Sequence, residues 1–169
     1  MQNLSDSSPY STGGSAQADN IRGVLIQVVG ARLLLPNATI AEVLSYAPPD
    51  EVDDAPDWLL GRVRWRGWQL PLLAFARMAG IGVEQGELGS KMVVLKALGG
   101  DSKTPYFAML TQGFPRLVTV SRDSLIVVDD EAPLPPGVQA RVLLNEDPAL
   151  VPDLAAIEAL IGEASAQAA

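Results

Sequence analysis

The segment Gly61-Arg-Val-Arg-Trp-Arg-Gly-Trp-Gln-Leu-Pro71 sets the reading of this chain. Arg62, Arg64 and Arg66 alternate with Val63 and Trp65, then Gly67 interrupts the run. Period-two alternation is the mark of a strand with one buried face. It predicts Val63 and Trp65 pointing inward and the arginines pointing to water. Gly67 supplies a turn, and Trp68–Leu73 forms the returning strand. Three arginines on an edge would be an ordinary solvated face that discourages aggregation. Arg and Trp are also the residues enriched at interface hot spots. All 3 tryptophans, Trp58, Trp65 and Trp68, fall in this short region. Both readings stand at this point.

The bulk sequence narrows the chemistry. The chain has 169 residues, 48% of them hydrophobic, which suits one domain or two small lobes with a real core. It contains 0 Cys and 0 His. Disulfides, thiolate catalysis and Cys-bound zinc are excluded, and the commonest general base and metal ligand are missing. No phosphate-binding loop or nucleophile elbow is present. The acidic groups Asp50–Glu51, Asp53–Asp54 and Asp129–Glu131 lie in Pro-flanked stretches without calcium-loop spacing, so solvated loop charge explains them better than a metal site. We therefore expect no enzyme, no cofactor and no metal. The net charge of −8 disfavours nucleic acid and anionic lipid as partners. The alternative to a protein-binding role is a small nucleic-acid-binding β-barrel using the Arg/Trp stretch 62–68. No apolar run approaches the length of a membrane span, and residues 1–20 lack a secretory pattern. The expectation is a cytoplasmic protein without membrane insertion.

Residues 1–20 are rich in small polar residues and read as a disordered tail. Strands are expected at 22–29, within 31–36, at 62–66, 68–73, 91–98 and 105–112, in one or two places across 114–130, and at 137–144. Residues 37–46 read as a short helix or an irregular strand. Residues 47–58 read as an exposed loop and 82–90 as a flexible acidic stretch. Leu72, Phe75 and Met78–Ala79 share one face of a short helix. A second helix from about residue 152 buries Leu154, Ile157 and Leu160–Ile161, and residues 163–169 read as a frayed end. The total is eight or nine short strands and two helices, a mainly β fold of small barrels or a sandwich.

The order of these features resembles a CheW-like domain, the coupling module of bacterial chemosensory arrays. The resemblance rests on the strand at 22–29, the LLLP ending at 36, the segment Ile40-Ala-Glu42-Val43, the acidic loop leading to Trp58-Leu-Leu-Gly61, and Arg66-Gly67 followed by Pro71. It spans residues 21–162. Leu72-Leu73-Ala74-Phe75 lacks the family's usual acidic residue, and the Trp-Arg-Gly and Pro-Leu-Leu wording is more similar to couplers of type IV pilus, twitching-motility systems. The resemblance implies two intertwined five-stranded SH3-like β-barrels with a short helix between them and a C-terminal helix. It implies an adaptor that couples the cytoplasmic tips of methyl-accepting chemoreceptors to the regulatory domain of a CheA-type histidine kinase. It also implies partner-binding positions at Ile40, Glu42, Gly61, Arg64, Arg66, Gly67 and Trp68.

Overall fold

The computed structural model describes residues 20–99 and 105–168, the side chains of 166–168 excepted. The tail expected at residues 1–20 thus lies outside the described residues except for Asn20, as does most of the turn expected at 99–105. Strand β1 (Ile21–Val28) pairs with β2 (Ala31–Pro36). A single 3-10 turn, Asn37–Thr39, leads into β3 (Ile40–Ser45). Then come β4 (Leu59–Trp65), β5 (Trp68–Leu73) and the short helix α1 (Phe75–Ala79). Strands β6 (Lys91–Lys96) and β7 (Tyr106–Thr111) form a hairpin, followed by β8 (Arg116–Val120) and β9 (Leu125–Val127). The chain closes with β10 (Val138–Leu144), β11 (Asp147–Pro152) and helix α2 (Leu154–Ala168).

The strands make two sheets. One has five strands in the order β3-β6-β7-β5-β4, the other six in the order β8-β1-β2-β11-β10-β9. Each sheet wraps a small core of its own. Val63, Trp65, Leu70, Leu72, Met92, Val94, Ala108 and Leu110 fill the first. Leu25, Leu34, Val120, Val142, Leu144 and Ala149 fill the second. A third and larger core lies between them, built from Val24, Ile26, Val28, Leu33, Leu35, Val93, Leu95, Phe107 and Met109. Helices α1 and α2 join it through Phe75, Met78, Ile157 and Ile161.

This arrangement explains the sequence pattern. Successive side chains on a strand point to opposite faces. On β6, Met92 and Val94 enter one core while Val93 and Leu95 enter another. A strand covered on both faces reads as a continuous apolar run, as residues 92–95 and 107–110 do. Strand β4 has one face in water and keeps strict alternation: Val63 and Trp65 are buried, Arg62 and Arg64 exposed. The expected register holds there.

Three expectations are corrected and one is narrowed. Among the described residues there are eleven strands rather than eight or nine, because β3 is a strand and β11 was missed, and one sheet has six strands rather than five, with β9 at its edge. Of the two readings of residues 37–46 the irregular strand holds for 40–45, which follows a 3-10 turn and pairs with β6 through a register shift between Ile40 and Glu42. Helix α2 does not fray after residue 162 but runs to Ala168, with Ala164 buried. The stretch 82–90 is anchored by Glu84, which is only 3% exposed.

Glu84 has a local cause. The residue preceding α1 is Ala74, which has no side chain able to cap the helix. Helix starts leave amide donors unsatisfied. The Glu84 carboxylate takes them instead, accepting from the amides of Ala76 at 2.7 Å and Arg77 at 3.1 Å. Glu84→Ala is expected to lower stability by about 1–3 kcal/mol, since it strands two donors in a buried place. A urea titration measures this, and an unchanged midpoint would show the cap to be dispensable.

Candidate functional site

The β4–β5 hairpin closes with two residues, Arg66 and Gly67, between the paired Trp65 and Trp68. Both turn residues have positive φ, 48° at Arg66 and 81° at Gly67. That is the backbone of a tight hairpin turn whose twist matches its strands. Glycine adopts it freely, whereas arginine is held there against its preference.

Glu42 explains how Arg66 is held. The Arg66 guanidinium donates to Glu42 Oε1 at 2.9 Å, and the Trp65 indole N–H donates to the same oxygen at 3.1 Å. The guanidinium also lies 5.0 Å from the centre of the Trp65 ring, within cation–π range. Glu42 is on β3 and the hairpin belongs to β4 and β5. Strands β3 and β4 are the two edges of their sheet. One carboxylate reaching from edge to edge shows that the sheet has curled into a barrel, with this pair at the seam. The pair stays accessible, since the Arg66 side chain is 70% exposed.

Trp68 is 40% exposed, whereas Trp65 is buried and Trp58 is partly buried against the central core. Tyr106 of β7 lies edge-on to both hairpin tryptophans, with centroids 4.8 Å from Trp65 and 6.4 Å from Trp68. The site therefore has an aromatic floor and a charged rim. Arg64 stands on the exposed face of β4, opposite Gln69. Among the described residues Arg64 makes no ion pair.

The structure thus gathers Glu42, Arg64, Arg66, Gly67 and Trp68 around the hairpin tip. Ile40 and Gly61 are placed otherwise. Ile40 is half-buried against the central core. Gly61 is buried on β4 beside the Asp50 backbone and the Pro49 ring. Tyr106 escaped the sequence reading, because nothing local to residue 106 tells which of the two cores its strand addresses. With Trp65 buried and Arg66 engaged, only Trp68 of the three tryptophans offers an exposed face for stacking on a base. Among the described residues no group of three or more acidic side chains could hold a metal ion. No helix among them is long and apolar enough to cross a membrane.

Two small β-barrels fused along a shared core, with an exposed Arg/Trp hairpin on one of them, define a paired SH3-like barrel protein. The chain belongs to the CheW-like domain family, which matches residues 22–160. Its structure is similar to the crystal structure of the scaffolding protein TtCheW from Thermoanaerobacter tengcongensis, with a TM-score of 0.66 at 13% identity, covering 79% of this chain and 84% of that one. No match is found among curated proteins.

Proposed function

We propose that this protein is a non-enzymatic adaptor of a bacterial chemosensory system. It couples the cytoplasmic tips of chemoreceptors to the regulatory domain of a CheA-type histidine kinase. The system it serves is the branch that controls type IV pilus twitching motility, as the wording of residues 65–73 suggests. It works in the cytoplasm, where receptor tips and kinase meet. The observation that carries the adaptor reading is the hairpin tip on a CheW-like fold. An exposed guanidinium and an exposed indole stand side by side, and a glycine leaves the turn free of bulk. Aromatic and arginine side chains that a partner can desolvate are the usual anchors of a protein interface. A guanidinium can also bridge two acceptors, one within the protein and one on the partner.

Arg66→Ala tests the reading. An exposed ion pair contributes at most about 1 kcal/mol, so the variant remains folded. Affinity for the purified kinase regulatory domain or a receptor-tip fragment is expected to fall by about 2 kcal/mol, the hot-spot range. Isothermal titration calorimetry measures it. Unchanged affinity in a folded variant would remove Arg66 from the interface. Salt-dependent binding of a short oligonucleotide, lost with Arg64→Ala and Trp68→Ala, would favour the nucleic-acid reading instead.

A further inference from the structure

The second barrel carries an open strand edge with unusual composition. Strand β9 pairs only with β10, through Val142↔Val127, Leu143↔Ile126 and Leu144↔Leu125. The Val128 amide donates to the Arg141 carbonyl at 2.8 Å, and the Asn145 amide to the Ser124 carbonyl at 2.8 Å. Bonded and non-bonded positions alternate along an antiparallel ladder. Residues 124, 126 and 128 therefore face β10, and the backbone N–H and C=O groups of Leu125 and Val127 point off the free side. Among the described residues no backbone hydrogen bond outside that ladder reaches them.

Edges of this kind are normally blunted by charge or proline. The edge of β4 is partly covered, since Asp50 and Arg62 exchange two backbone hydrogen bonds. Strand β9 is left open and apolar: Ile126 is 59% exposed and Val127 63%. Ile126 stands beside Leu143 on the outer face of its sheet, and Leu143 lines an adjoining cleft of about 680 Å³ with Val128, Pro135, Pro148 and Leu150. The strand is flanked by the exposed carboxylates Asp123, Asp129 and Glu131.

We propose that β9 is a strand-addition edge, and that its occupant is an extended aliphatic segment of another protein flanked by basic residues. Added backbone bonds supply affinity, and side chains at alternate positions supply selectivity. One face of the added strand meets Ile126 and the cleft, the other meets Val127. The flanking charges select the occupant. Antiparallel pairing with a second copy centred on Val127 sets Asp123 against Glu131. Pairing Leu125 with Val127 sets Asp123 against Asp129, and centring on Leu125 sets Asp123 against Val127. Like charges directly opposite one another disfavour the first two registers, although the second also sets Arg122 against Asp130, a carboxylate already paired with Arg141, and an unpaired carboxylate on an apolar contact disfavours the third. A partner with lysine or arginine at those places faces no such penalty. This surface lies on the opposite sheet from the Arg66 hairpin and does not depend on that site.

The capped peptide Lys-Lys-Val-Ile-Val-Lys-Lys is a direct probe, titrated into the full chain and followed by amide NMR shifts. Saturable binding centred on residues 124–128 is expected. N-methylation at alternate peptide positions, which removes the pairing donors, should weaken it at least tenfold, as should Val127→Lys. Val127 is exposed, so that variant should fold, and its thermal melt checks this. Replacing the four lysines by glutamates should abolish binding. Absence of saturable binding at millimolar peptide overturns the proposal, as does binding indifferent to N-methylation. A concentration-dependent dimer that Val127→Lys dissolves would also overturn it, assigning the edge to a second copy.

Discussion

Trp65→Ala is expected to cost about 3–5 kcal/mol, the range for removing a large aromatic from a packed core. The cause is specific. Trp65 is 7% exposed and fills one end of the five-stranded barrel with Val63, Leu70 and Leu72. Its ring meets Tyr106 edge-on at 4.8 Å, and its indole N–H binds Glu42. Truncation leaves a cavity at the seam and removes a contact between the two sheet edges. The neighbouring Arg64→Ala should change stability by no more than about 0.5 kcal/mol, because that side chain faces water. Paired urea titrations of the two variants read the strand register directly. A reversed order would mean that the hairpin is shifted by one residue, since such a slip exchanges the faces.

Trp65→Phe separates the cavity from the hydrogen bond. The smaller ring preserves most of the packing and loses the indole donor. Its cost should be well below that of the alanine variant, because Glu42 keeps Arg66 as a partner. If the two variants cost the same, the seam depends on the indole N–H rather than on ring volume.

How much of this was visible in the sequence depends on how local the cause was. The β4–β5 hairpin was legible from residues 61–71 because alternation, glycine turn and returning strand all lie within it. Strand β11 was not, and its turn shows why. Asn145 and Glu146 both have positive φ, at 50° and 73°, and join Leu144 to Asp147 in a two-residue hairpin. Asparagine signals such a turn, but glutamate does not. Pro148 further disguises the strand that follows, and its parallel contact with β2 at Leu150↔Leu33 is a non-local event. Glu84 was equally hidden. Its role depends on Ala74 failing to cap α1, ten residues earlier in the chain. At the site, Arg66 and Trp68 could be read from the hairpin. Glu42 came through family resemblance, because no local pattern tells that β3 and β4 meet across a seam. Strand β9 was foreseen only as one or two strands across a long stretch, and its open edge is a property of sheet order.

Gly61→Ala is expected to be the most damaging small substitution in the hairpin, although it adds a single methyl group. Gly61 has φ 147°, a backbone region that side chains rarely adopt. A Cβ there would lie 2.3 Å from the Asp50 carbonyl oxygen and 2.9 Å from its carbon. Both are backbone atoms, so no side-chain rotation relieves the clash. The 49–50 segment would have to move away from β4. It is held there by the Asp50 amide donating to the Arg62 carbonyl at 2.9 Å and the Arg62 amide donating to the Asp50 carbonyl at 2.8 Å. Losing two backbone hydrogen bonds costs about 1 kcal/mol each, and forcing a side chain into this conformation adds about 1–3 kcal/mol. The expected total is about 3 kcal/mol or more. Hydrogen exchange locates the damage: protection at the Asp50 and Arg62 amides should fall further than that of the core amides of Val93 and Met109, whose exchange follows only the global loss of stability. Partner binding should weaken with it, because the loop at 47–57 runs from β3 to β4 and both of those strands support the Arg66 hairpin. A Gly61→Ala variant with native stability and native exchange at Asp50 would show that the loop can yield at no cost, and would leave the position's importance to be sought in a direct partner contact.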